Sequence, residues 1–170
     1  MNKALFHVAG ALALVSAGEA QAAGAAQCLT RAEVHGVVGY FLPMALDSAS
    51  KTCAQQLPGN SFMRTSAPRV IAELNIGRDA AWPNARKAFN KLGGEGEEFG
   101  KMSDDLVKPM FDGMIDGLIG QEIKPRNCKD IDRIMTPLAA MPAASMVDLI
   151  TEVFVVAMRN DKEMPTCPDA

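Results

Sequence analysis

The amino-acid sequence predicts an all-α fold, a compact bundle of about five to seven short helices stapled by disulfides. Three observations carry that expectation. Apolar residues recur at three- and four-residue steps along most of the chain, and no stretch alternates with the period of two that a half-buried strand needs. Pro, Gly and capping residues punctuate these runs at intervals suited to separate helices. Finally, Cys28, Cys53, Cys128 and Cys167 are even in number and lack the close spacing of a zinc knuckle or a C-x-x-C redox pair, so they read as two structural bridges.

Bridges of this kind require an oxidising compartment, and the start of the chain supplies a route to one. Lys3 precedes an apolar run from Leu5 to Ala17, and Ala20-Gln21-Ala22 follows in the small-x-small pattern of a signal-peptidase site. Residues 1–22 are therefore expected to be a cleaved signal peptide, with the cut before Ala23 or, as the alternative, before Ala26. The run falls short of the about 20 residues of a membrane span. Gln27, immediately before Cys28, is not the small residue that lipid attachment needs. The expected mature protein is periplasmic or secreted: one helical domain over 23–170, with 160–170 as a tail and no membrane span.

Four cysteines allow three connectivities. Cys28 and Cys53 bracket a helical run that, if straight, holds them ~37 Å apart, far beyond disulfide reach unless the chain breaks sharply at Pro43. Of the other two arrangements, Cys53–Cys128 with Cys28–Cys167 is favoured. The first bridge ties two helix ends and the second pins termini that would otherwise fray.

The elements follow in order. Thr30-Arg31-Ala32-Glu33 is a capping box, after which Val34, Val37, Val38, Phe41 and Leu42 share one helical face. Pro43 either kinks this helix or starts a second one reaching about Leu57, before the turn Pro58-Gly59-Asn60. Ser66 and Pro68 open the next helix, which Gly77 is expected to end. Another begins at Asp79, with Trp82, Ala85, Phe89 and Leu92 on its inner face, and stops at Gly93-Gly94. Glu95 to Gly100 reads as an acidic, glycine-containing loop. Ser103 precedes a long run with apolar pairs one turn apart, and Asn127 caps a short helix bearing Ile131, Ile134, Met135 and Leu138. The last helix opens at Pro142. Its apolar residues Met146, Val147, Ile150, Val153, Phe154, Ala157 and Met158 cover so much of its surface that a central position is expected.

Composition narrows the function classes. The net charge of −3 removes the basic face that nucleic acid demands. Aromatic residues are only 5% of the chain, which leaves few stacking surfaces for bases or sugars and points to an aliphatic, methionine-rich core. His35 is the single histidine beyond the leader, and no nucleophile accompanies it in sequence, so it reads as an ordinary helix histidine. No catalytic residue, metal ligand set or cofactor motif is recognised. The methionines fit the apolar helix faces better than a Cu(I) site, where soft ligands cluster more densely.

Two segments remain as candidates. Asp105, Asp112 and Asp116 form an acidic stripe beside Gly113, Gly117 and Gly120, whose spacing suggests close approach of another backbone. With Glu95, Glu97 and Glu98 the stripe is a candidate groove for a cation or basic partner, against the plainer reading of a solvated face. Met110, Phe111 and Met114 are a candidate apolar groove. The segments AAWPNARKAF (Ala80 to Phe89) and DGLIGQEI (Asp116 to Ile123), with a cysteine soon after, resemble an uncharacterised family of small exported alphaproteobacterial helical proteins. That resemblance implies a Gram-negative periplasm and assigns no functional residue. The expected role is a binding or interaction module for a protein or small apolar ligand. The alternative is a small hydrolase drawing on Asp or Glu within 95–122.

Overall fold

The computed structural model describes residues 28–92, 101–161 and 164–168. Among these it contains six α-helices and no β-strand: α1 (Arg31–Cys53), α2 (Phe62–Thr65), α3 (Ala67–Leu92), α4 (Asp104–Glu122), α5 (Cys128–Met135) and α6 (Ala143–Ala157). Short 3-10 turns occupy Ala54–Gln56, Pro125–Asn127 and Thr136–Ala140. The expected leader and the acidic loop with Glu95, Glu97 and Glu98 lie outside the described residues.

The capping box forms as expected. Thr30 Oγ1 accepts from the Glu33 backbone N–H, and Glu33 Oε2 accepts from the Thr30 N–H at 2.8 Å. From that start α1 runs through Pro43 without a second helix beginning there, and it ends at Cys53 rather than Leu57. The Pro43 ring is fully buried, so packing outweighs the backbone hydrogen bond that proline forfeits.

The expected stop at Gly77 is not there. One 26-residue helix spans both expected segments and crosses Gly77 and Pro83. Its buried residues Ala67, Val70, Leu74, Ala85 and Ala88 form one stripe at helical spacing. Arg78 occupies that stripe where an apolar residue would have shown its continuity. Its charge is matched from α4, where Asp112 Oδ1 accepts from Arg78 Nη2 at 2.6 Å.

Helices α1 and α3 are the frame, and their crossing is set by glycine. A Cβ built on Gly36 would lie 2.5 Å from Asn84 Cβ and 2.6 Å from the Ala85 backbone nitrogen, and one on Gly39 would lie 3.1 Å from Ala81 Cβ. Among the described residues the close approach expected at Gly113 and Gly117 is absent, since a Cβ at either meets none of their atoms within 4 Å. Only Gly120 has a neighbour, Ser48 Oγ at 3.8 Å.

Packing on this frame divides into two clusters. An aliphatic core joins α1, α2, α3, α5 and α6, with Met63, Met135 and Met146 buried in it. Five of the scarce aromatics gather in a second cluster that attaches α4, while Phe62 lies in the aliphatic core and Phe154 is exposed. Tyr40 and Phe41 of α1 meet Trp82 and Phe89 of α3, and Phe111 of α4 stacks on Phe89 at a 4.5 Å centroid distance. Val107 is the one fully buried residue of α4. Helix α6 is not central: it buries Met146, Val147, Thr151 and Val155 and leaves Leu149, Val153, Phe154 and Val156 exposed. Its high apolar content therefore reports an uncovered outer face as well as a core face.

Both favoured disulfides are present, Cys28–Cys167 and Cys53–Cys128, with Cα separations of 5.0 and 5.3 Å. No free cysteine remains. Bridges enclosing segments this long each stabilise by about 4 kcal/mol in the chain-entropy model. The tail is held by more than Cys167. Leu29 N–H donates to Pro165 O and Cys167 N–H donates to Leu29 O, each at 2.9 Å, and Thr166 Oγ1 donates to Val155 O at 3.1 Å.

The glycine geometry yields opposite outcomes for one type of substitution. Gly36→Ala should cost about 2 kcal/mol or more, because backbone must move to admit the methyl. Gly117→Ala should stabilise by about 0.5–1 kcal/mol, the ordinary gain in an open helix position. Urea unfolding of both variants measures this, and equal effects would remove Gly36 from the crossing.

Candidate functional site

The small residues that let α1 and α3 approach also hollow out their surface. Where α6 leans against the pair, they enclose a cleft of about 480 Å³. Helix α1 contributes His35, Gly36 and Gly39, helix α3 contributes residues from Glu73 to Asn84, and α6 contributes Ala143, Ala144 and Val147. Alanine and glycine dominate the wall, so the cavity is a direct result of side chains too short to fill the gap. Its volume falls within the about 300–1,000 Å³ of small-molecule sites.

Few polar groups interrupt this wall. His35, Glu73 and Asn84 reach it, and two of the three have partners. Asp148 Oδ1 of α6 lies 3.2 Å from His35 Nε2 and orients the imidazole. Glu73 Oε1 accepts from Arg69 Nη1 at 2.6 Å, while Arg69 Nη2 donates to Ala139 O at 2.7 Å. Among the described residues no serine, threonine or cysteine lines the cleft, so none of them offers His35 a hydroxyl or thiol there to activate. Such an arrangement can receive an apolar body and hydrogen-bond one polar head.

The residues singled out in sequence lie elsewhere. Met110 and Met114 face solvent on α4, each 51% exposed, whereas Phe111 turns into the aromatic cluster. The three therefore do not line one groove. The acidic stripe separates in the same way. Asp105 and Asp116 are exposed, while Asp112 is a structural partner that accepts from the Tyr40 hydroxyl at 3.0 Å as well as from Arg78. Arg78 also donates to the Tyr40 carbonyl at 3.2 Å and sits 4.3 Å above the Tyr40 ring. Burial pushes the Tyr40 phenol up to about 12; the Arg78 cation opposes this and the bond to Asp112 adds to it. Among the described residues, no three His, Cys, Asp or Glu side chains gather as a metal-binding group. No described helix is long and apolar enough to cross a membrane.

A second polar centre fixes the edge of the frame. The buried Glu33 carboxylate accepts from Lys91 Nζ at 2.7 Å and from Thr30 Oγ1 at 3.0 Å, and Lys91 also donates to Cys28 O at 3.2 Å. Burial alone would raise the Glu33 pKa. The hydrogen bonds from Lys91 and Thr30 outweigh it and hold the carboxyl below its ordinary value of 4.5.

Sequence reasoning set His35 aside as an ordinary helix histidine and missed the cleft it lines. The small residues that form it are one pair a turn apart on α1, Gly36 and Gly39, and two adjacent pairs, Ala80-Ala81 on α3 and Ala143-Ala144 on α6, which share no spacing that links them in sequence. Compared with models of known families, with curated proteins and with solved structures, the chain matches none.

Glu33 carries a pH prediction. Its folded-state pKa lies below the unfolded one, so its contribution is complete above the unfolded value of 4.5 and is lost as pH falls through the folded value. Glu33→Gln should cost about 1–3 kcal/mol at neutral pH and flatten the acid limb of the stability profile. Urea unfolding at a series of pH values reads both effects, and an acid limb unchanged in the variant would show that Glu33 is not its source.

Proposed function

We propose that this protein is an exported helical binding module, periplasmic or secreted, that holds a small, largely apolar ligand with one polar head in the cleft between α1, α3 and α6. The observation that carries the reading is the cleft itself: about 480 Å³ walled mainly by Ala and Gly, with His35, Glu73 and Asn84 as its polar contacts. The leader pattern supports export, as do two intramolecular bridges with no free thiol. The resemblance of the Ala80 to Phe89 and Asp116 to Ile123 segments to small exported alphaproteobacterial proteins favours the periplasm. Binding is preferred to the hydrolase alternative because Asp112, the partly buried carboxylate of the described 101–122 segment, is paired to Arg78 and does not line the cleft.

Hexan-1-ol and hexylamine are suitable probes. Titrated into the isotopically labelled protein, they should produce saturable, about millimolar shifts in the amide signals of Gly36, Gly39, Gly77 and Ala144. Ala144→Trp, at an exposed position of α6, should abolish those shifts with the helical signal intact. Met114→Ala should leave them unchanged. Shifts that never saturate, or that survive Ala144→Trp, would reject the cleft as the site.

A further inference from the structure

Helix α4 presents a face that the described packing does not use. Leu106, Met110, Met114 and Leu118 follow one another at one-turn steps and are 51–60% exposed. Gly113 and Gly117 lie on the same face with open space over both. Glycine inside a helix is costly relative to alanine, and no contact among the described residues requires it at either position.

The charges around this face are sorted. Those directed toward the bundle are paired: Asp112 with Arg78, Lys108 with Asp79, and Asp104 with Arg86. Asp105, Asp116 and Glu122 are exposed and have no hydrogen bond or ion pair among the described residues. By the helical period, Asp105 and Asp116 border the glycine side of the face and Glu122 borders the leucine side. An apolar seam with open glycines is thus bordered by three carboxylates that hold no hydrogen-bonded cation among the described residues; Lys51 lies within electrostatic range of Asp116 but is ion-paired to Asp47.

We propose that this face of α4 docks a basic amphipathic helix of a partner protein. The partner lays an apolar, small-residue seam along Leu106 to Leu118, approaches closely over Gly113 and Gly117, and sets lysine or arginine against Asp105, Asp116 and Glu122. Charge decides among occupants. A second copy of the chain would bring acidic borders against acidic borders, and an anionic lipid surface would be repelled. The outer face of α6 is also apolar, but its acids Asp148 and Glu152 are already engaged by His35 and Arg31, so nothing there defines a partner.

The test uses the full chain with its bridges intact and two labelled synthetic helical peptides of about 18 residues. Both carry a leucine–alanine seam; one is flanked by lysine and the other by glutamate. Fluorescence anisotropy should show the lysine peptide binding at least about tenfold tighter, and more weakly as salt rises. Gly117→Leu, at a position with room for the side chain, should weaken that binding about tenfold by blocking close approach. Asp105→Asn, Asp116→Asn and Glu122→Gln together should erase the preference between peptides. Circular dichroism confirms that each variant keeps its helices. Absence of saturable binding, equal binding of the two peptides, or binding indifferent to both variants would overturn the proposal. So would a dimer of the chain in sedimentation that Gly117→Leu dissolves, which would assign the face to a second copy.

Discussion

The approach of α1 to α3 at Gly36 is the constraint from which the rest of the structure follows. Asn84 and Ala85 occupy the space a side chain at residue 36 would need, so the two longest helices meet nearly backbone to backbone. This contact does two things at once. It brings Val34, Val38, Leu46, Val70 and Leu74 into one aliphatic core, and it leaves short side chains along the seam, which α6 can lean against but cannot fill. The cleft is the remainder of that geometry, lined by the same Gly36, Gly39, Ala81 and Asn84 that set the crossing.

Everything else is attached to this pair, by different means at different edges. Covalent bonds hold the far ends: Cys53–Cys128 joins the end of α1 to the start of α5, and Cys28–Cys167 closes the termini. Glu33 and Lys91 tie the segment around Cys28 to the ends of both frame helices, so the terminal bridge is anchored by a buried ion pair as well as by sulfur. Helix α4 has no disulfide. It depends on Val107, Phe111 and Ile115, on the Asp112–Arg78–Tyr40 group and on the ion pairs Asp104–Arg86 and Lys108–Asp79, all along one side, a narrow base for nineteen residues. That narrow base is why so much of its apolar surface remains uncovered.

The parts of this fold legible in the sequence were those governed by local or covalent chemistry. The capping box at Thr30 and Glu33 involves neighbours in sequence; for the disulfides, the length of one helix disfavoured Cys28–Cys53, and the pairing that ties helix ends and pins the termini was the better of the two that remained. Misreadings arose where distant partners decide. Gly77 looked like a helix end because glycine commonly closes a helix, whereas the helix continues through it and the next residue, Arg78, is held by Asp112 and Tyr40 on two other helices. Glycines at residues 113 and 117 suggested a tight crossing, yet the crossing uses Gly36 and Gly39, which carry the same local signal. A low aromatic fraction implied a diffuse aliphatic core and concealed the gathering of Tyr40, Phe41, Trp82, Phe89 and Phe111 at one point. The cleft was hardest to see, because an absence of side-chain volume on three separate helices has no local signature.

If the α1–α3 contact is the frame and α4 is an attachment, their stabilities must differ. Native-state hydrogen exchange measures this directly, residue by residue, under increasing urea. Amides flanking Gly36 on α1 and Asn84 on α3 should exchange only through global unfolding, while those of α4 should open earlier through a smaller, sub-global event. Protection of α4 equal to that around Gly36, or opening of α1 and α3 before α4, would contradict the account.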